Sequence, residues 1–220
     1  MTLTVITGAN RGIGLELARQ AAERGDTVVA ACRSASDDLR RLGVEIVEGI
    51  DVAEDAGAAR LAAAIGDRAI DILINNAGVL TRETLDDLDM DRIRRQFETN
   101  ALGPLRIVRA LLANLHEGAK MAIVSSRVGS MADNSTGGNY GYRMSKAAVN
   151  MAGVNLAHDL EPKGVAVILL HPGYVGTEMT DRRGPVDPAD AARGLHARID
   201  ELTLETTGTF RHAEGEELPW

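Results

Sequence analysis

The sequence has one cysteine, few aromatic residues and no long apolar run. Cys32 alone cannot form an internal disulfide, so the fold must hold without one, which suits a reducing cytoplasm. No apolar stretch approaches the ~18–20 residues that a membrane span requires. The opening Met1-Thr2-Leu3-Thr4-Val5-Ile6-Thr7 lacks the basic region and apolar segment of a signal peptide, and a cytoplasmic location is expected. Aromatics are 3% of the residues, which leaves Val, Ile, Leu and Ala to fill the interior, as in parallel strands buried on both faces. Positive charge is also short: 24 Lys and Arg stand against 32 Asp and Glu, a net charge of −8, with no basic stripe. Nucleic acid and anionic membrane surfaces are therefore poor partners, and a small-molecule ligand is the better expectation.

What is present is 45% apolar residue content in a chain of 220, enough for one α/β domain over 1–220. Short apolar runs at 3–7, 27–32, 44–47, 70–74, 121–125 and 165–171, with a weaker seventh at 209–211, read as strands. Amphipathic stretches separate them. In the first, Ile13, Leu17 and Ala21 recur every four residues while Glu16, Arg19 and Glu23 turn outward. Further helices are predicted at 55–65, 89–114, 142–161 and 188–202. This alternation implies a single doubly wound parallel sheet, a Rossmann fold, with helices on both faces. The segment 129–141, rich in Gly and Asn, reads as a loop.

The chemistry-bearing residues fall at strand ends. Thr7-Gly8-Ala9-Asn10-Arg11-Gly12-Ile13-Gly14 joins the first strand to the first helix. Glycines let the backbone turn sharply and approach a pyrophosphate, and the helix N-terminus aims N–H groups at its charge. The second strand should end on the residue that reads the adenine ribose, where a carboxylate would repel a 2′-phosphate. Here the residues are Cys32-Arg33-Ser34. Arg33, with Arg11 from the other side, favours NADP(H), since a guanidinium fork fits a phosphate. NAD(H) stays open if Asp37 or Asp38 reaches back. Asp51-Val52 and Asn75-Asn76-Ala77-Gly78 follow the third and fourth strands, where ligands bind in open parallel sheets. No metal site is expected.

Tyr142 and Lys146 lie four residues apart, on one helix face. An ammonium beside a phenol favours the phenolate and lowers a pKa of about 10, giving a proton-transfer group usable near neutrality. Ser125 and Ser126 end the preceding strand, where a hydroxyl can hold a carbonyl oxygen. Pro104 falls inside the helical pattern and cannot donate to the carbonyl of Asn100, four residues back. Either the helix kinks there and frees that carbonyl for a water, or Gly103-Pro104 separates two helices.

Taken in order, Thr-Gly-x3-Gly-x-Gly, Asn-Asn-Ala-Gly, Tyr-x3-Lys and His171-Pro172-Gly173 resemble the short-chain dehydrogenases/reductases over the whole chain. The run Gly138-Asn139-Tyr140-Gly141-Tyr142-Arg143-Met144-Ser145-Lys146 and the ending Glu217-Leu218-Pro219-Trp220 are similar to the C-factor and sniffer-type carbonyl reductases. The resemblance implies a catalytic tetrad of Asn100, Ser126, Tyr142 and Lys146: a relay water, a carbonyl anchor, the proton donor, and a lysine that also grips the nicotinamide ribose. It implies dinucleotide contacts from Gly8, Asn10, Arg11, Gly12, Ile13, Gly14, Arg33, Asp51, Val52, Asn75, Ala77, Gly78, Pro172, Gly173, Val175 and Thr177. It also implies hydride transfer between NADP(H) and a carbonyl or alcohol, in a homodimer or homotetramer. Ser126 lies farther from Tyr142 than the family's usual serine, and Ser130 is its rival. A non-catalytic, dinucleotide-binding regulatory protein is the alternative. The segment 178–187, short and polar but for Met179, predicts a site open on one side that accepts bulky or aromatic carbonyl compounds, unless a partner's C-terminus closes it.

Overall fold

The computed structural model describes residues 1–220. The apolar runs become β1 (Leu3–Thr7), β2 (Thr27–Ala31), β3 (Glu45–Val47), β4 (Ile70–Asn75), β5 (Leu115–Val124), β6 (Ala166–His171) and β7 (Thr209–His212). They form one sheet in the order β3-β2-β1-β4-β5-β6-β7, every pair parallel. Around it stand α1 (Gly12–Glu23), α2 (Asp37–Arg41), α3 (Asp55–Ile65), α4 (Met90–Phe97), α5 (Gly103–Leu111), α6 (Tyr140–Leu160) and α7 (Pro188–Glu201). This is the doubly wound arrangement expected.

Alternation along each strand divides the interior into two layers. Ile6, Val28, Ala30, Ile74, Val124 and Leu170 join α1 and α7 in a core of 22 buried residues. Val5, Val29, Leu73, Met121 and Val167 join α3, α5 and α6 in another of 21. Each fully buried aliphatic side chain contributes about 1.5–3 kcal/mol over its exposed state, so a core this size holds without aromatics. Strand order reverses between β1 and β4, and the crevice beyond their carboxyl ends is where a ligand fits such a sheet.

Three elements differ from expectation. The five-residue α2, capped by Ser36 Oγ accepting from the Leu39 amide at 3.1 Å, is too short to show a helical period. β5 begins at Leu115, earlier than expected, and its register against β4 shifts between Ile70 and Ile72. The single helix predicted over 89–114 is α4, a π-helical turn (Glu98–Leu102) and α5 in succession. Pro104 stands in the first turn of α5. It has no amide to give the carbonyl of Asn100, and the hydrogen-bond ladder widens just before it.

Candidate active site

A cleft of about 900 Å³ opens at the switch point. Residues 8 and 10–14 of the glycine loop line it, with Arg33, Asp51, Val52, Ala77, Gly78 and Thr177. Asn75, Pro172, Gly173 and Val175, also expected at the dinucleotide, are not on this wall. Asn75 is 2% exposed, and both polar atoms of its side chain lack a hydrogen-bond partner.

The neighbouring Asn76 holds the loop's shape. Its Nδ2 donates to the carbonyls of Thr7 and Gly8 at 3.0 and 3.2 Å. Thr7 Oγ1 in turn accepts the amides of Asn76 and Ala77 at 3.1 and 3.2 Å. So close is the packing that a Cβ on Gly8 (φ +68°) would lie 2.8 Å from Ala77 Cα, and one on Gly14 would overlap the Gly8 carbonyl. α1 starts without a side-chain cap, leaving its first amides to the cleft. Uncapped amides, a glycine cradle and a cation form a site that fits a pyrophosphate and an added phosphate.

Arg33 is exposed on the wall and has no carboxylate partner. Asp38 pairs with Arg41 at 2.7 Å, and neither Asp37 nor Asp38 reaches the cleft. Arg11, expected to assist Arg33, is instead ion-paired with Glu178.

Deeper in stand the four residues expected to be catalytic. A Cβ on Gly78 would lie 3.3 Å from Asn100 Oδ1 and 3.8 Å from Lys146 Nζ, so Gly78 is where cleft and cluster meet. Lys146 is 4% exposed; its Nζ donates to the Val124 carbonyl at 2.8 Å and lies 5.7 Å from the Tyr142 ring centroid. Burial pulls Lys146 down to about 8. Burial also pushes the Tyr142 phenol up to about 12, with the Ser126 hydroxyl opposing. The expected depression of the phenol by its lysine is therefore corrected. The ammonium bonds the Val124 carbonyl, and desolvation of the phenolate outweighs the Ser126 hydroxyl.

Asn100 enters through its side chain, which sequence reasoning missed. Oδ1 accepts the Val79 amide at 2.8 Å, while Nδ2 donates to the Val79 carbonyl at 2.9 Å and Ser145 Oγ at 3.0 Å. Ser145 Oγ passes on to the Tyr142 carbonyl at 2.8 Å. Ser126 faces the phenol, whereas Ser130 Oγ donates to the Trp220 carbonyl at 3.0 Å and accepts from the Asp133 amide at 3.1 Å. His171 packs edge-to-face on His212, 5.1 Å between centroids, and burial first, then that neighbour, lowers it to about 3.

Backbone bonds join the segment 178–187 to its neighbours at 174–177, Val186 N donating to the Tyr174 carbonyl at 3.2 Å and Arg182 N to the Thr177 carbonyl at 2.8 Å, and two ion pairs tie it to distant elements. Besides Arg11–Glu178, Arg82 pairs with Asp181 at 2.9 Å. Asp181 and Arg182 are both left-handed, at φ +53° and +59°. The tail packs on its own chain: Ala132 N donates to the Trp220 carbonyl at 3.0 Å, and the indole stacks on Phe210 at 5.4 Å.

The family model described as short chain dehydrogenase matches residues 2–187. The 1-hydroxy-2-glutathionyl-2-methyl-3-butene dehydrogenase of Rhodococcus sp. (strain AD45) is 44% identical over 226 aligned positions that cover 100% of both chains. The C-signal of Myxococcus xanthus is 46% identical over 154 positions, covering 69% of this chain and 93% of that protein. Among solved structures, the NADPH-bound carbonyl reductase from chicken fatty liver superposes with a TM-score of 0.91 at 26% identity, 100% of each chain covered. With a family model spanning most of its length and a full-length dehydrogenase relative, this chain belongs to the short-chain dehydrogenase/reductase family, oxidoreductases that move hydride between a nicotinamide dinucleotide and a carbonyl or alcohol.

Proposed function

We propose that this protein is an NADP(H)-dependent reductase of bulky or aromatic ketones and aldehydes, with the reverse alcohol oxidation available at the same site. The observation that carries the reading is the convergence of Tyr142, Ser126, Lys146 and Asn100 behind Gly78, at the inner end of a phosphate-fitting cleft. The glycine loop and the α1 N-terminus would hold the pyrophosphate, Arg33 the 2′-phosphate, and Thr177 the carboxamide. When bound, the nicotinamide supplies a hydride to a carbonyl carbon or accepts one from an alcohol.

The protein's own part is binding and proton transfer. Ser126 hydrogen-bonds the substrate oxygen, and Ser130 is engaged by the tail. Tyr142 delivers its proton to that oxygen; a phenol near 12 is fully protonated at neutral pH, the form that reduction needs. With a dinucleotide bound, Lys146 would hold the ribose hydroxyls in place of the Val124 carbonyl. Asn100 braces Val79 against α6 with its side chain, and its carbonyl, inside the π turn, would hold the relay water. The Rhodococcus relative is named for an alcohol bearing a glutathionyl group, which supports a bulky substrate.

Exposed Leu102, Leu105, Leu112 and Met151 around α5 and α6 support a homodimer or homotetramer, to be tested by light scattering at graded concentrations. No helix is long and apolar enough to cross a membrane, and with Cys32 buried and unpaired we place the protein in the cytoplasm. The C-signal relative favours a second reading, a regulatory dinucleotide-binding protein. NADPH oxidation against a panel of small aliphatic ketones, bicyclic aryl ketones, aldehydes and quinones separates the two. Turnover of the bulky carbonyls is expected; NADPH binding without turnover of any carbonyl favours the regulatory reading, and a strong preference for the small ketone overturns the bulky-substrate assignment.

A further inference from the structure

α6 carries Tyr142, yet its own sequence gives it no cap. The residue before it, Asn139, is left-handed (φ +48°) and makes no side-chain capping bond. The first amides of a helix need partners from elsewhere. Here they come from Glu83, on the segment after β4. Glu83 Oε2 accepts the Gly141 amide at 3.2 Å, and its backbone carbonyl accepts the Asn139 amide at 2.9 Å.

Glu83 is 1% exposed, and no cation answers it: its neighbour Arg82 turns to Asp181. Its side-chain bonds come from neutral donors, namely the Gly141 amide, Thr81 Oγ1, and Gln96 Nε2 of α4 at 3.0 Å. Gln96 Oε1 is occupied by the Thr81 amide at 3.0 Å, so the carboxamide of Gln96 is fixed in orientation. A Cβ on Gly141 would overlap Gln96 Nε2, so the network closes tightly against the start of α6. A buried carboxylate without a counter-ion is unfavourable unless donors and a helix N-terminus satisfy it, and this one has both.

We propose that Glu83 is a positioning residue for Tyr142: its carboxylate caps α6 from another segment and sets the phenol, one residue beyond Gly141, against Ser126. The proposal rests on the reading of Tyr142 as the proton donor. It requires an acceptor on both oxygens, because an amide at position 83 turns an NH₂ group toward one of the donors. A swap of the two side chains repairs this. With the amide at position 83 and the carboxylate at position 96, the amide accepts from Gly141 and donates to the carboxylate, which still accepts from the Thr81 amide.

The test compares Glu83→Gln, the double variant Glu83→Gln/Gln96→Glu, and Tyr142→Phe in steady-state assays and NADPH fluorescence titrations. Glu83→Gln is expected to lower kcat about tenfold, because small displacements of a reacting group are amplified in rate. Residues 81, 83, 96 and 141 do not line the cleft, so the KM and Kd for NADPH should stay within about twofold. The double variant should return kcat to within about threefold of wild type. If the single variant fails to fold, the double variant must still fold and turn over. Wild-type kcat in Glu83→Gln, or a double variant no better than the single one, overturns the proposal. An active Tyr142→Phe overturns the functional reading instead, whatever Glu83 does.

Discussion

The wall that carries the glycine loop and the segment 178–187 meet at the same cleft, joined by Arg11–Glu178, and they are held by different means. On the first, backbone meets backbone: Asn76 bonds two carbonyls of the loop, and Gly8 and Gly14 leave no room for a side chain. On the second, backbone bonds tie the segment only to its own neighbours at 174–177, and the fastenings to distant elements are ion pairs in water, Arg11–Glu178 with side chains 62% and 57% exposed and Arg82–Asp181 at 53% and 45%. Exposed pairs contribute only about 0–1 kcal/mol each. The two left-handed residues beside them, Asp181 and Arg182, are unfavourable by about 1 kcal/mol or more apiece. One wall is therefore braced between strands, while the other is held mainly by its own neighbours and has the more room to adjust to what it meets. A shared dinucleotide and a variable substrate call for that division.

The largest effect should come from the chemistry between the walls. Tyr142→Phe is expected to lower turnover about 10²–10⁴-fold, because only the exchangeable proton is lost, while NADPH titrates as in wild type. In the wild-type enzyme, reduction should be level across neutral pH, where the phenol is protonated. Alcohol oxidation, which needs the phenolate, should climb with pH through the alkaline range, and a plateau below pH 8 would show that Lys146 and the bound dinucleotide lower the phenol as its spacing from the lysine predicts.

Gly14→Ala tests the rigid wall. The added methyl overlaps the Gly8 carbonyl, and overpacking of this kind destabilises by about 1–3 kcal/mol. Urea unfolding should show that loss together with weaker NADPH binding; wild-type values for both would mean that the loop yields as readily as 178–187. Arg33→Asp leaves the wall's shape intact and changes its sign. Loss of a charge-assisted bond should weaken NADPH by about 1.5–3 kcal/mol and spare NADH. Salt should narrow the difference. Equal affinity of the wild type for the two dinucleotides would remove Arg33 from the specificity argument.

The smallest effect is expected on the second wall. Glu178→Gln breaks an exposed pair and should move stability by no more than about 0.5 kcal/mol. It also frees Arg11, so NADPH should bind slightly more tightly. A melting temperature lowered by many degrees would show the two walls to be equally fixed.

Much of this was legible in the sequence because periodicity and strand-end position are local properties. The strands announced themselves as aliphatic runs, and the glycine loop, Arg33 and the Tyr142–Lys146 pair fell where a doubly wound sheet exposes them. What stayed hidden depended on distant partners. Asn76 and Asn75 are adjacent and identical in type, yet one braces the loop and the other is sealed in the interior. Glu178 reaches Arg11 across 167 residues of chain. The shift of Tyr142 reversed the expectation from spacing alone, because desolvation is set by everything packed around a group. Pro104 was read correctly as a disturbance of the helix, but periodicity could not distinguish a kink or a break from a widened turn.

That widened turn has a consequence for how the segment 89–114 is encoded. A π turn inserts one residue, and at 3.6 residues per turn one residue is a rotation of about 100°. α4 and α5 therefore present their apolar stripes along different bearings: α4 packs against α6, and α5 against α3. Asn100 sits where the phase slips, aimed at Val79 and Ser145. The register of Asn100 is thus set by the count of residues between Phe97 and Gly103 more than by which residues they are. A change of side chain there alters one contact, whereas the loss of a single codon swings a whole helix face around its axis.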